Sequence, residues 1–159
     1  MRLSAVRLTG LVLGLATLSA CAGGGARSGQ ELPPNATIAA SMTLERFLAA
    51  ANQKDLDTMA SLFGTRDGSV RSVWSREEVD RRMLLLANVL THTDYAITGE
   101  QIVAGRRDEA TQLNVRMVIS GDTVLVPFTL VRVGPQSWLV ENVNIEAVTR
   151  GPANRGSGL

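Results

Sequence analysis

Residues 112–148 read QLNVRMVISGDTVLVPFTLVRVGPQSWLVENVNIEAV, and this run decides the fold. It divides into three segments, 112–120, 122–133 and 137–148, each rich in Val, Ile, Leu, Thr and aromatic residues. Such side chains fit a pleated, half-buried surface, and both breaks between segments carry Gly or Pro. The first break, Ser120-Gly121-Asp122-Thr123, is a hairpin signal, because Gly supplies the positive φ of a tight turn. The second, Gly134-Pro135-Gln136, is a longer turn with φ preset at Pro135. Connections this short force neighbouring strands to be antiparallel. In the first segment Leu113, Val115, Met117 and Ile119 share one face, while Gln112, Asn114, Arg116 and Ser120 share the other, with Val118 as the exception. The alternation predicts a sheet dry on one side and wet on the other. The second and third segments run about twelve residues each, roughly 40 Å and about twice the usual strand. Strands of that length must twist and bend around whatever covers them. Pro127 cannot donate to a ladder, so it predicts a bulge or an edge position.

The preceding chain supplies the cover. Leu44, Phe47, Leu48 and Ala51 fall on one helical face, with Ser41 and Thr43 as capping candidates and a stop near Asn52-Gln53-Lys54. Asp55 reads as the N-cap of a second helix with Leu56, Met59, Leu62 and Phe63 as its apolar stripe and Gly64 at its C-terminal cap. Residues 65–69 read as a loop and 70–74 as a short extended segment. Ser75-Arg76-Glu77-Glu78 is a capping box, opening a third helix with Val79, Met83, Leu86, Ala87 and Leu90 on its buried stripe. Glu77–Arg81 and Glu78–Arg82 have the favourable i, i+4 order and read as a solvated face. A further strand over 95–104 turns into the sheet through 105–109. The fold class is therefore α+β, with N-terminal helices packed on an antiparallel sheet.

At this point the chain resembles the nuclear-transport-factor-2-like, or SnoaL-like, fold. The resemblance rests on residues 44–63, LERFLAAANQKDLDTMASLF, and on the order of elements. Members of that family typically have a helix ending in a turn rich in small residues, then Asp-Leu-Asp, then a short helix ending near Phe. The resemblance implies a cone: a strongly curved sheet wrapping the first helix, with a pocket at the open end. Some members are isomerases, dehydratases or cyclases, but no residue-by-residue match to such a site exists here.

The N-terminus reads as an address. Arg2 and Arg7 flank a basic start, and residues 8–18 are apolar or neutral but shorter than the ~20 residues that span a bilayer. Leu18-Ser19-Ala20-Cys21 resembles the lipobox of bacterial lipoproteins, and Cys21 is the single cysteine of the chain. The resemblance implies cleavage before Cys21, a diacylglycerol thioether on it and an acylated amino terminus, a multi-chain anchor of the kind that binds membranes stably. Ala22 in place of aspartate resembles the pattern exported to the outer membrane in bacteria with two membranes. The expected organisation is a signal peptide over 1–20, lipidated Cys21 and a Gly/Pro-rich tether over 21–35, the folded domain over 36–149 and a loose tail over 150–159.

Composition and motifs restrict the chemistry. Sixteen Lys and Arg nearly cancel fifteen Asp and Glu, leaving no nucleic-acid footprint. The single histidine, His92, lies in the Thr91-His92-Thr93 linker and reads as an exposed loop residue. Metal-ligand spacing is absent, and so is a glycine-rich phosphate loop after a strand, so neither metal nor cofactor is expected. Asp55/Asp57 and Glu77/Glu78 sit at helix starts, where the dipole favours them, and Asp108/Glu109 in a turn. Asp94 and Tyr95 are adjacent in a strand and point to opposite faces. The remaining exception is Glu141, which shares its strand parity with Leu139, Val143, Ile145 and Ala147. Three readings of it compete: a bulge that returns it to water, a structural ion pair with Arg116 or another arginine, or a place in the cone mouth. In the last, Glu141, Trp138, Tyr95 and Arg116 form a ligand pocket. The functional expectation is a membrane-anchored envelope protein binding a small apolar ligand or a protein partner without catalysis. The alternatives are a SnoaL-like enzyme acting on a small apolar molecule, and an assembly component pairing through its sheet face as a homodimer or with another envelope protein.

Overall fold

The computed structural model describes residues 34–149. The signal segment, Cys21, most of the tether and the tail beyond Thr149 lie outside the described residues. The chain runs α1 (Pro34–Gln53), α2 (Leu56–Leu62), β1 (Gly64–Thr65), β2 (Gly68–Ser69), a 3₁₀ turn (Val70–Ser72), α3 (Arg76–Leu90), β3 (Asp94–Ile102), β4 (Ala110–Ile119), β5 (Asp122–Arg132), β6 (Trp138–Val143) and α4 (Glu146–Thr149). Strands β3 to β6 form one antiparallel sheet in sequence order, and β1 with β2 is a separate small hairpin. The class is α+β, as the pattern of elements requires.

The dry face of the sheet is the one the alternation predicts. Leu113 pairs across to Phe128, Val115 to Val126 and Met117 to Val124, and all six are buried. Leu44, Phe47 and Leu48 of α1 are fully buried in the same core, with Met59 of α2 and Val79, Met83, Ala87 and Leu90 of α3. The Phe47 and Phe63 rings stack at 6.1 Å between centroids.

Local chemistry moves several boundaries. Helix α1 begins at Pro34, where a proline fits the first helical turn because its missing N–H would have no helical partner. Ser41 and Thr43 therefore lie inside the helix rather than capping it, and the Thr43 hydroxyl donates to Ala39 O at 3.0 Å. At the far end Lys54 takes a positive φ of 55°, while Asp55 N–H donates to Ala50 O and Lys54 N–H to Ala51 O. That is the left-handed cap usually given to glycine. Asp55 caps α2 as expected, accepting from Thr58 N–H. Phe63 is the C-cap of α2, in extended geometry, so Gly64 stands at C′ as expected, but it is not among the positive-φ glycines that a left-handed cap uses. Its glycine requirement is steric instead: a Cβ there would stand 2.2 Å from Gly68 O across the β1–β2 hairpin. Residues 70–72 form a 3₁₀ turn rather than an extended segment, because Ser69 Oγ caps Arg71 N–H and Trp74 N–H reaches Val70 O. At α3 Ser75 Oγ accepts from Glu78 N–H, but Glu78 rather than Glu77 holds Arg81, so both Arg81 and Arg82 converge on one carboxylate.

The β4–β5 turn is Ser120-Gly121, closed by the Ile119–Asp122 pair, so of the four residues 120–123 the first two make the loop and Asp122 and Thr123 already belong to β5. Both turn residues have positive φ, 52° and 90°, as a tight hairpin loop with strand-like twist demands.

The largest departure is β6, which ends at Val143 instead of continuing to 148. Pro127 accounts for it. In an antiparallel strand the N–H and C=O of one residue point to the same side. Pro127 O accepts from Asn144 N–H at 3.0 Å, so the N–H that Pro127 lacks is the one that would continue the β5–β6 ladder. The chain leaves the sheet there and closes into α4, with Val148 N–H and Thr149 N–H both donating to Ile145 O. No bulge forms at Pro127; the register shift lies opposite Thr129 and Leu130, which face Asn142 and Val140, and its extra residue is Glu141 on β6. Pro127 itself pairs in register with Asn114.

Candidate functional site

Helix α3 is apolar on more than one face. Val79, Met83, Ala87 and Leu90 point into the core, which leaves Leu84 and Leu85 outside it and 43% and 63% exposed. Opposite Leu85 the chain has just left the sheet after Val143, and Ile145 stands 42% exposed. Between the two lies an open cavity of about 280 Å³, lined by Phe63, Trp74, Met83, Leu85, Leu86, Val89, Val143 and Ile145, with Arg82 and Asn142 as its polar members. The volume lies just below the usual range of about 300–1,000 Å³ for ligand sites. Each wall has a local cause. The 3₁₀ turn positions Trp74, the C-cap of α2 positions Phe63, and the Pro127 ladder stop releases Ile145.

Arg82 forms the rim. Its guanidinium lies 4.4 Å above the Trp74 ring centroid, a cation–π arrangement. Its Nε donates to Glu78. The Arg82 hydrogen bond is the main cause that holds the Glu78 carboxyl below its ordinary range; desolvation opposes it, and the Arg81 and Arg82 charges and the Arg81 bond add to the lowering. A mixed cavity, lined by Asn88, Val89, Ile119, Ser120, Asp122, Val124, Val148 and Thr149, adjoins through Val89. Among the described residues no group of three His, Cys, Asp or Glu could hold a metal ion.

The structure does not bring the four sequence candidates together. Tyr95 lies across from Met117, and Met117 across from Val124. Trp138 lies across from Arg132. Val124 and Arg132 are eight residues apart along β5, roughly 26 Å at the usual strand rise, so Tyr95 and Trp138 occupy opposite ends of the sheet. Trp138 is buried in the core, and its indole N–H finds no acceptor among the described residues. Arg116 is exposed, pairing across to Leu125 and Ala96 on the face away from the core. Glu141 does not pair with Arg116. The bulge takes it out of the inward alternation, and Arg106 grips it with two bonds of 2.5 and 3.1 Å. That bond is also what chiefly raises the Arg106 pKa. A bidentate fork of this kind is a structural tie between the β3–β4 turn and β6.

His92 is not exposed. It is 9% accessible and clamped by Asn52: Asn52 Nδ2 donates to His92 O at 3.0 Å and His92 N–H donates to Asn52 Oδ1 at 3.0 Å. His92 Nδ1 lies 2.8 Å from Leu90 O and therefore carries the proton, which leaves Nε2 to face Asn52 Nδ2 at 3.3 Å. The Tyr95 ring packs edge-on against the imidazole at 5.2 Å. Burial, and then the Glu45 carboxylate, push the Tyr95 phenol up. Every polar atom of the imidazole thus has a structural partner.

The residues missed in the sequence are Trp74, Arg82, Leu85 and Ile145. One signal was available. Met83-Leu84-Leu85-Leu86 is apolar over too wide an arc for a single buried stripe, so part of it must face something other than the core.

No protein-family model matches the chain, and no curated protein matches it. Among solved structures the chain is similar to the phospholipid-binding protein from Ralstonia solanacearum, determined in complex with a phospholipid. The alignment covers 70% of this chain and 78% of that one, at 14% identity and a TM-score of 0.39.

Proposed function

We propose that the chain is a lipid-anchored protein of the cell envelope whose domain holds a small apolar ligand in the groove between α3 and the end of β6, without catalysis. The observation that carries the ligand-binding reading is the groove itself: an open, almost wholly apolar concavity walled by Trp74, Leu85 and Ile145. Exposed apolar surface gathered into a concavity with a polar rim marks a binding site more often than a scatter of single residues does. The reading of anchoring rests on Cys21 at the end of a signal-like segment, and it places the domain at a membrane surface, on the periplasmic side of the outer membrane where the organism has two.

Two experiments test the two halves. A neutral naphthylamine dye, which brightens in apolar surroundings, is titrated into the purified full chain. Leu85→Asp sets a carboxylate in the mouth of the groove at an exposed position, so it should abolish the fluorescence gain while leaving the melting temperature nearly unchanged. Equal dye binding by both proteins would place the apolar site elsewhere. For the anchor, cells are fed a fatty-acid probe: Cys21→Ser should lose the label and the membrane association together, and retention of both would refute lipidation.

A further inference from the structure

Resting on the ligand-binding reading of the groove, we propose that its ligand is a single-chain amphiphile with an anionic head, of the fatty-acid type, and that Arg82 is the residue that reads the head. Three observations converge. The first is polarity: Arg82 alone among the lining residues is charged, and the other polar one, Asn142, brings an amide that can also donate. The second is the state of the guanidinium. It is held from below by the Trp74 face and from the side by Glu78 through Nε, while its two Nη groups donate to nothing among the described residues. A fixed fork with its outer edge free is ready to take a planar anion without first being ordered. The third is charge. Glu78 serves Arg81 and Arg82 at once, so the trio keeps an excess positive charge at the mouth.

Size narrows the class further. A cavity of about 280 Å³ lies just below the usual range of about 300–1,000 Å³ for ligand sites and suits the tail of one short chain better than two tails side by side. The ligand therefore lays an apolar tail against Phe63, Met83, Leu86 and Val143 and leaves its head at the rim, where Arg82 meets it in partial contact with water.

The test is a head-group series on one tail: decanoate, decanol and decyltrimethylammonium, titrated into the full chain below their micellar concentrations, with binding read by calorimetry and by the fluorescence of Trp74. Decanoate should bind at least tenfold more tightly than decanol, and the cation more weakly than decanol. The decanoate preference should shrink as salt is raised from 20 mM to 500 mM, because a rim charge is screened. In Arg82→Gln the decanoate-to-decanol ratio should fall to about one, and Arg82→Lys should restore it in part, since the charge returns without the planar fork. If the native protein binds all three amphiphiles with equal affinity, the anionic-head proposal is overturned while the apolar groove stands. If none of them binds, the ligand-binding reading falls with it.

Discussion

Asn52 offers a sharp test of how the core is closed, because one side chain ties the end of α1 to the start of β3. Asn52→Ala removes two bonds of 3.0 Å to the backbone of His92 and the 3.3 Å approach to its Nε2. Each backbone bond contributes roughly 1 kcal/mol net. The mutated position is exposed, so water can reach the abandoned groups on that side and limit the penalty for leaving them unpaired. The expected loss is then about 1–2 kcal/mol. In urea, where small proteins unfold with slopes of about 1–3 kcal/mol/M, that moves the midpoint down by roughly 0.3–2 M. The slope itself should stay unchanged, since the surface exposed on unfolding is nearly the same. Asn52→Asp is the informative control. It keeps an acceptor for His92 N–H but turns a second acceptor toward His92 O, so it should recover none of the donor half of the clamp. A loss below about 0.3 kcal/mol in Asn52→Ala would refute the reasoning and mean that the 91–93 linker is held by packing alone.

Other consequences are open to measurement. Phe47→Ala empties a fully buried aromatic site beneath the sheet and should cost about 3–5 kcal/mol in denaturant unfolding, with a change under ~1 kcal/mol excluding that packing. Gly64→Ala places a Cβ 2.2 Å from a backbone oxygen, which no side-chain rotation can relieve, and should destabilise by about 1–3 kcal/mol; a melting temperature equal to that of the native protein would show the hairpin to be looser than described. Acid should weaken the fold through Asp55 and Glu78. The bonds to Thr58 depress the former below its ordinary 3.8, and chiefly the bond to Arg82 depresses the latter below 4.5. Because the folded values are depressed, their contribution is complete above those ordinary values and disappears as the pH falls through the lower folded ones. Asp55→Asn and Glu78→Gln together should flatten the acid side of a stability-against-pH curve, and an unaltered slope would show that neither group is linked to folding.

The sheet was legible because its evidence is local: apolar alternation from Leu113 to Met117, a glycine at the hairpin, and turns too short for anything but antiparallel neighbours. The helical stripes were legible for the same reason. What escaped depends on partners distant in sequence. His92 looked like an exposed loop residue because Asn52, forty positions earlier, is what buries it. Glu141 kept three open readings because parity counts residues and cannot place a bulge; the structure selects the bulge and a pair with another arginine over the pocket. Arg106, the partner it takes, lies in a turn with no pattern of its own. The groove escaped because it exists only where α3 meets a chain that has already left the sheet. Pro127 was correctly marked as the place where ladder bonding fails, yet its effect fell on the neighbouring strand, which it shortens, rather than on its own.

That shortening also bears on how the protein behaves in a crowd. Beyond Pro127 the β6 side of β5, at Thr123 and Leu125, has no strand beside it among the described residues, and a row of free peptide groups is a template on which another chain can grow a sheet. Leu125 is 54% exposed there, which would make such a template adhesive. The same proline that ends the ladder sends the chain back as α4, which packs beside β5. A helical turn has its own peptide groups occupied and offers no matching repeat, so it screens this edge without extending it. The proline also interrupts the apolar run VLVPFTLV of residues 124–131, one of the segments of this domain with the strongest bent for fibril-like stacking. Replacing Pro127 with valine would remove both protections at once, and the first result at high protein concentration would be self-association rather than unfolding.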